Sequence, residues 1–170
     1  LLVAVLEDSE DLADEVHQNY HWLTVDEYQD VNPLQQRLLE LWLGDNRNIC
    51  VVGDSAQTIY TFTGASSKPL ENFTKKYEDA SVFRLNRNYR SKPEIIDYAN
   101  KLLAQMPSST ASVGSLMATK DAGTKVEVLP FVNDSAEADW IAQSIVDLLQ
   151  GGQKETEIVV LARINSQLEL

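Results

Sequence analysis

The sequence predicts an α/β protein with a largely parallel sheet. Short apolar runs of strand character alternate with stretches of helical period along the chain. One of those runs, HWLTV, leads directly into two carboxylates, as strands do at the ligand-binding edge of an open parallel sheet, and another, NICVV, stops at Gly53-Asp54. Prolines sit where helices start and glycines where they stop.

Each element has its own justification. The opening LLVAVL is six residues long, lacks a basic flank and runs straight into EDSEDLADE. It reads as a helix interrupted by a chain boundary, not as a secretory signal. Residues 10–19 are acidic with apolar Leu12, Ala13 and Val16, the pattern of an amphipathic helix. Residues 21–25 read as a buried strand that delivers Asp26 and Glu27 at its end. Asn32 and Pro33 start a helix whose period runs through Leu34, Arg37, Leu38, Leu41 and Trp42 until Gly44. Residues 48–52 read as a second buried strand stopping at Gly53 and Asp54. A helix is expected over 69–77 and a third strand over 81–85. Pro93 opens another helix, with Ile95, Ile96, Ala99, Leu102 and Leu103 expected on one apolar face. Residues 106–124 are small, polar and without period, a linker or loose segment. A strand over 125–131, a helix over 136–149 and a buried strand over 157–162 complete the reading.

Composition narrows the class. A hydrophobic fraction of 44% and an aromatic fraction of 8% are those of a globular protein. No apolar run approaches the roughly 20 residues that span a bilayer, so no membrane partner is expected. The single cysteine, Cys50, lies in an apolar run and reads as a buried thiol of a reducing, cytoplasmic compartment. Two histidines and one cysteine cannot assemble a structural zinc site. The net charge of −12, from 14 basic against 26 acidic residues, argues against a freestanding nucleic-acid binder. Either a basic groove lies elsewhere in a larger protein, or any strand is gripped by base stacking more than by phosphate pairing.

Three strings carry chemistry. In VDEYQD, Asp26 suits Mg²⁺, which prefers hard oxygen ligands and keeps much of its water. Glu27 suits a base that orients and deprotonates a water attacking a terminal phosphate. Two acids after a strand also make an ordinary solvated loop, and only the full string lifts them above it. In VVGDSAQTIYTFTGA, Gln57 has an amide able to bridge a γ-phosphate and the metal's waters. Tyr60 and Phe62 alternate, so on an extended segment both rings face one side, the spacing of a base-stacking platform. Taken singly, each ring reads more readily as core. In LNRNYRSKPEIIDYAN, Arg90 follows a strand and precedes a helix, placed to reach a phosphate, and Tyr89 could stack on an adenine. A lone Tyr-Arg pair would read as a surface feature.

In order and spacing, these strings resemble three consecutive motifs of superfamily 1 DNA helicases of the UvrD/PcrA/Rep group. The tail EIVVLARINSQLEL resembles that family's strand opening with an Arg/Asn pair early in the second motor domain. The resemblance covers about residues 20–170. It implies RecA-like parallel-sheet motor domains of the P-loop type, with residues 1–90 the C-terminal part of the first and 91–170 the start of the second. It implies ATP and Mg²⁺ as cofactors, single-stranded and partially duplex DNA as partners, and 3′→5′ movement. By it, Asp26 and Glu27 take the metal and catalytic-base roles, Gln57 senses the γ-phosphate, and Tyr89 and Arg90 are the adenine-stacking tyrosine and arginine finger. Tyr60 and Phe62 fall where the family stacks bases, and Arg163 and Asn165 where it approaches the DNA backbone.

The sequence also departs from the family. No G-x-x-x-x-G-K-[ST] string is present, so a truncated segment is expected, with little or no ATP hydrolysis by these residues alone. Thr63 stands where the family usually has arginine, a trait shared with actinobacterial-like members, and Ala56 where many relatives have an acid. The competing reading is a degenerate module that binds DNA or a protein without a motor cycle, which Thr63, the acidic charge and the missing phosphate loop favour. A metal-dependent nuclease built on Asp26, Glu27 and Asp30 is the weakest alternative, since no second ligand cluster or lysine accompanies the acids.

Overall fold

Side chains that accept hydrogen bonds from the backbone mark where several helices begin. In the computed structural model, which describes residues 1–106 and 114–168, the chain divides into two units, Leu1–Val126 and Glu127–Leu170.

The first unit opens with helix α1 (Leu2–Asp8) and helix α2 (Glu10–Asn19), separated by an extended Ser9. The Ser9 hydroxyl accepts from the Leu12 N–H at 3.4 Å and caps α2. Helix α3 (Pro33–Leu43) carries a full capping box: Asn32 Oδ1 accepts from the Gln35 N–H and Gln35 Oε1 from the Asn32 N–H, both at 2.9 Å. Pro33 occupies the first turn, where its missing donor has no helical partner to lose. Gly44 ends α3 at φ 56°, and a Cβ there would lie 2.6 Å from the His17 ring. That ring donates from Nε2 to the Leu41 carbonyl at 2.9 Å, joining α2 to the end of α3. Leu6 and Leu43 are buried where α1, α2 and α3 pack, and Tyr20 meets Trp42 edge-on at 5.6 Å. Asn32→Ala is expected to lower the unfolding free energy by about 1 kcal/mol, read as a lower urea midpoint by circular dichroism, with Asn32→Asp keeping most of it.

Strand β1 (Leu23–Val25) pairs in parallel with strand β2 (Ile49–Val51), with Leu23, Thr24 and Val25 opposite Ile49, Cys50 and Val51. Both strands are shorter than the five-residue runs suggested, and neither is buried on two faces. Leu23, Val25, Ile49 and Val51 are half-buried, whereas Thr24 and Cys50, on the alternate face, are exposed. The expected buried thiol is therefore corrected: no layer among the described residues covers that face, and Cys50 is accessible.

Beyond β2 the helix expected over 69–77 is two short ones, α4 (Lys68–Glu71) and α5 (Phe73–Lys76). Asn72 breaks it, its side-chain amide donating to the Lys68 carbonyl at 3.0 Å. The strand expected over 81–85 does not form, and Val82, Phe83 and Leu85 are exposed. Strand β3 (Arg87–Asn88) instead pairs in parallel with strand β4 (Met117–Ala118). Between them, helix α6 (Pro93–Leu103) buries Ile96 and half-buries Ala99, Asn100 and Leu103, while Ile95 and Leu102 point outward. The apolar face expected there is thus split into an inner and an outer stripe. Within residues 106–124, expected to be loose, residues 107–113 lie outside the described ones. Leu116, further on, exchanges two 2.9 Å hydrogen bonds with the Asn100 side chain, and the Gly123 N–H donates to Glu94 Oε1 at 2.8 Å.

The second unit is built on helix α7 (Asp134–Gln150), capped by Asn133 Oδ1 on the Ala136 N–H at 2.9 Å. Asp134 and Glu137 in its first turn complement the helix dipole, and Trp140 packs against Phe131 at 5.7 Å. The strands expected over 125–131 and 157–162 are not formed. A strand needs a pairing neighbour, none of the described residues supplies one, and Val128, Val159 and Leu161 are exposed. No described helix is long and apolar enough to cross a membrane.

The architecture is thus α/β with small parallel strand pairs, and the apolar residues buried among the described ones are Leu6, Tyr28, Leu43, Ala65 and Ile96.

Candidate functional site

Because β1 and β2 run in parallel, their C-terminal ends lie side by side and bring together the residues that follow each. The ladder continues past the strands: the Val52 N–H donates to Val25 O at 2.8 Å, and the Tyr28 N–H to Val52 O at 2.9 Å. Asp26 is exposed and its Oδ1 accepts from the Glu27 N–H at 2.9 Å. Glu27 stands at φ 48°, ψ 42°, the one non-glycine residue with positive φ among those described. That left-handed conformation costs on the order of 1–3 kcal/mol and persists only where surroundings hold it.

The surroundings are the turn of residues 28–30. Tyr28 is buried, donating from its hydroxyl to Gln36 Oε1 at 2.7 Å and meeting Phe73 edge-on at 6.0 Å. Burial pushes the Tyr28 hydroxyl above its usual pKa, against the lowering effect of its bond to Gln36. Gln36 in turn donates to Glu40, which together with Lys76 holds the Glu40 carboxyl below the usual range. Burial pulls the Lys76 ammonium down, but the hydrogen bond to Glu40 and the charges of Tyr77, Glu40 and Tyr28 outweigh it and leave the pKa raised. A connected polar wall from Tyr28 to Lys76 therefore backs the turn that presents Glu27.

Gln29 is the most buried side chain in the described structure, with 1% of its surface exposed. Its Nε2 donates to Glu27 Oε2 at 2.7 Å and its Oε1 accepts from the Asp54 N–H at 3.0 Å. Gly53 makes room for it: a Cβ there would stand 2.6 Å from Gln29 Oε1 and 3.2 Å from the Tyr28 nitrogen. Asp54 caps its own turn through Oδ1 on the Ala56 N–H at 2.9 Å, and Oδ2 accepts from Gln57 Nε2 at 2.8 Å. Glu27, Gln29, Asp54 and Gln57 thus form one hydrogen-bonded chain across two strings that lie some 25 residues apart in sequence. Sequence reasoning singled out Glu27 and Gln57 and missed Gln29 and Asp54 as links. The available signal was a glycine directly before Asp54, facing the polar amide of VDEYQD.

Tyr60 and Phe62 are not core. Both rings are exposed, Phe62 by 81%, with centroids 6.1 Å apart and planes at 49°. The segment is a 3₁₀ turn (Thr61–Thr63), not the extended stretch expected. Thr63 donates from Oγ1 to the Tyr60 carbonyl at 2.8 Å, a local bond tying the turn to the base of the aromatic pair. Gly64 follows at φ 90°, where a β-carbon is disfavoured, and returns the chain to buried Ala65.

Tyr89 and Arg90 lie on the turn after β3, where Asn88 Oδ1 accepts from the N–H groups of Arg90 and Ser91 at 3.0 and 2.7 Å. Both are exposed, and among the described residues Arg90 makes no ion pair and no bond to the acid cluster. Arg163 and Asn165 belong to the second unit, where Gln167 Oε1 accepts from the Arg163 and Ile164 N–H groups at 3.2 and 3.3 Å. Among the described residues no three ligating side chains converge on a common point, so Asp26 and Glu27 offer a cation at most a pair of carboxylates.

Residues 1–78 match the family described as UvrD/REP helicase N-terminal domain, and residues 83–170 the UvrD-like helicase C-terminal domain. Over 168 residues the chain is 40% identical to the ATP-dependent DNA helicase UvrD2 of Mycobacterium tuberculosis, covering 98% of this chain and 24% of that protein. It is 32% identical over 154 residues to the ATP-dependent DNA helicase PcrA of Staphylococcus aureus, covering 90% of this chain and 21% of that protein. The chain therefore spans about a quarter of the length of the curated relatives it matches. With both halves matched, and with the paired strand ends carrying the motif residues, the chain belongs to the UvrD/Rep helicase family.

Proposed function

We propose that this chain is the internal part of an ATP-dependent DNA helicase that couples ATP hydrolysis to 3′→5′ movement along single-stranded DNA. The observation that supports it best is the hydrogen-bonded chain Glu27–Gln29–Asp54–Gln57 at the ends of two parallel strands. Parallel α/β sheets bind their ligands at that edge, and the named relatives are ATP-dependent DNA helicases.

In this reading the RecA-like domains divide at residues 90 and 91. Asp26, with Glu27 beside it, holds Mg²⁺, an ion that suits one or two carboxylates plus water and phosphate oxygens and needs no protein cage. When bound, the ion neutralises charge developing on the phosphates. Glu27 orients the attacking water and takes its proton, and Gln57, held by Asp54, lies beside the terminal phosphate. Tyr89 stacks on the adenine and Arg90 meets the phosphates. Tyr60 and Phe62 stack on bases, and Arg163 and Asn165 approach the DNA backbone. The protein works in the cytoplasm, in DNA repair. The chain carries no phosphate-loop string, so activity is assigned to the longer protein and none to these residues alone.

The test is ATP hydrolysis by the full-length protein with and without single-stranded DNA. Strong stimulation by DNA supports a motor. ATP binding without turnover gives the second reading, a degenerate binding module, which Thr63 favours because its hydroxyl is spent on its own turn. Tyr60→Ala with Phe62→Ala is expected to weaken single-stranded DNA binding by about 1–3 kcal/mol per stacked base, measured by fluorescence anisotropy. Unchanged affinity would remove the stacking role.

A further inference from the structure

We infer that Gln29 is a positioning residue: it sets the Glu27 carboxylate and ties it to the Asp54–Gln57 turn, so that the two motif segments move as one. The inference deepens the proposed hydrolysis reading and rests on it.

A glutamine amide is costly to bury, because it carries two donors and an acceptor that water would otherwise satisfy. Gln29 is nonetheless 1% exposed, and both its amide atoms are directed at the site. Its donor goes to a carboxylate, the stronger kind of hydrogen bond, at 2.7 Å. Its acceptor takes the first N–H after Gly53, at 3.0 Å. Neither bond lies within a helix or strand, so regular secondary structure has no use for them. The backbone is arranged around them. Glu27 adopts its left-handed conformation immediately before the turn that carries Gln29, and Gly53 lacks the Cβ that would meet Gln29 Oε1 at 2.6 Å.

The consequence is geometric. A base must sit within hydrogen-bond reach of the water it deprotonates, and an exposed glutamate on a strained turn has several rotamers to choose among. The Gln29 donor removes that freedom. The Gln29 acceptor also makes the chosen position depend on where Asp54 lies, and Asp54 holds Gln57 through Oδ2 at 2.8 Å. Four residues downstream of Gln57 begins the turn bearing the exposed Tyr60–Phe62 pair. A shift of that segment is therefore felt at the Glu27 carboxylate through one side chain.

Two variants of the full-length protein test the inference. Gln29→Met keeps the length and loses both bonds. Gln29→Glu keeps an acceptor for the Asp54 N–H but faces Glu27 with a second carboxylate. With saturating single-stranded DNA, both are expected to lose on the order of 10- to 100-fold in kcat for ATP, the scale of a misplacement of about 1 Å at a reacting group. The KM for ATP is expected to stay close to wild type, while the melting temperature falls in both, because Gln29→Met leaves the Asp54 N–H without its acceptor and Gln29→Glu buries a second carboxylate against Glu27. Unchanged kcat in both variants would overturn the inference. So would a fall in kcat matched by an equal loss of ATP affinity, the signature of a merely structural amide. Glu27→Gln measured alongside separates the two ideas. Normal turnover in Glu27→Gln removes the base on which the inference rests. Lost turnover there, with full turnover in both Gln29 variants, removes only the positioning role.

Discussion

Arg90→Ala in the full-length protein is expected to reduce DNA-stimulated ATP hydrolysis by about 10³–10⁵-fold, the contribution of arginine fingers to phosphoryl transfer. The transferring phosphoryl group develops charge on its outer oxygens, and the protein does little covalent chemistry on it, so a preorganised cation is worth more there than anywhere else in the site. Two features of the structure fit Arg90 for the part. Asn88 Oδ1 accepts from the N–H groups of Arg90 and Ser91 at 3.0 and 2.7 Å, which fixes the backbone from which the side chain projects. Among the described residues its guanidinium makes no ion pair, so no bridge must break before it reaches an anion. Arg90→Lys is expected to recover little, because a point charge cannot reproduce a planar fork. The measurement is kcat at saturating ATP, with ATP affinity followed separately by a fluorescent analogue. A loss below tenfold in Arg90→Ala would take the finger role away from this residue.

How far the sequence could be read depended on whether a signal was local. Asn32-Pro33 and Gly44 bound α3 as expected, because capping boxes and helix-ending glycines are satisfied by neighbours a few residues away. The helix expected over 136–149 forms as α7 over Asp134–Gln150, its start set two residues earlier by an Asn133 cap that the period did not reveal. Strands are different, since pairing is supplied from elsewhere in the chain. Residues 21–25 and 48–52 found each other and formed β1 and β2. Residues 81–85, 125–131 and 157–162 have the same apolar character but no ladder partner among the described residues, and Val82, Phe83, Leu85, Val128, Val159 and Leu161 stay exposed. Cys50 shows the same limit at one residue: an apolar neighbourhood implied burial, while its place on the uncovered face of a two-stranded sheet decided otherwise.

The site was legible to the extent that it is written in strings. VDEYQD and GDSAQTIYTFTGA announced Glu27 and Gln57, but nothing in either string says that they are joined. Joining needs the parallel register of β1 on β2, which brings Asp54 within reach of Gln29. Gln29 was overlooked for a related reason. It lies on a 3₁₀ turn, so neither a period of two nor one of 3.6 marks it as buried. Tyr60 and Phe62 were the reverse case, adjacent as their spacing suggested, though through a turn and not an extended strand.

Glu27→Gln in the full-length protein is expected to reduce ATP turnover by about 10²–10⁴-fold, the range a positioned base supplies, while ATP binding survives. The substitution is unusually selective here. Glutamine has the shape of glutamate, so the left-handed backbone at φ 48° meets no new steric demand. Its amide oxygen still accepts from Gln29 Nε2, in place of the carboxylate oxygen that now does so at 2.7 Å. The chain to Asp54 and Gln57 is thereby preserved, and what disappears is the negative charge and its affinity for a proton. Asp26, the other carboxylate, is untouched, so any cation it holds should remain and nucleotide affinity should change by less than about tenfold, or 1.4 kcal/mol. Glu27→Ala makes the contrast: it deletes the acceptor as well and leaves the Gln29 donor buried without a partner, at about 1–3 kcal/mol. The alanine variant is therefore expected to lose turnover and thermal stability together, and the glutamine variant turnover alone. Turnover in Glu27→Gln within a few-fold of wild type would deny Glu27 the proton transfer, whatever the alanine variant does.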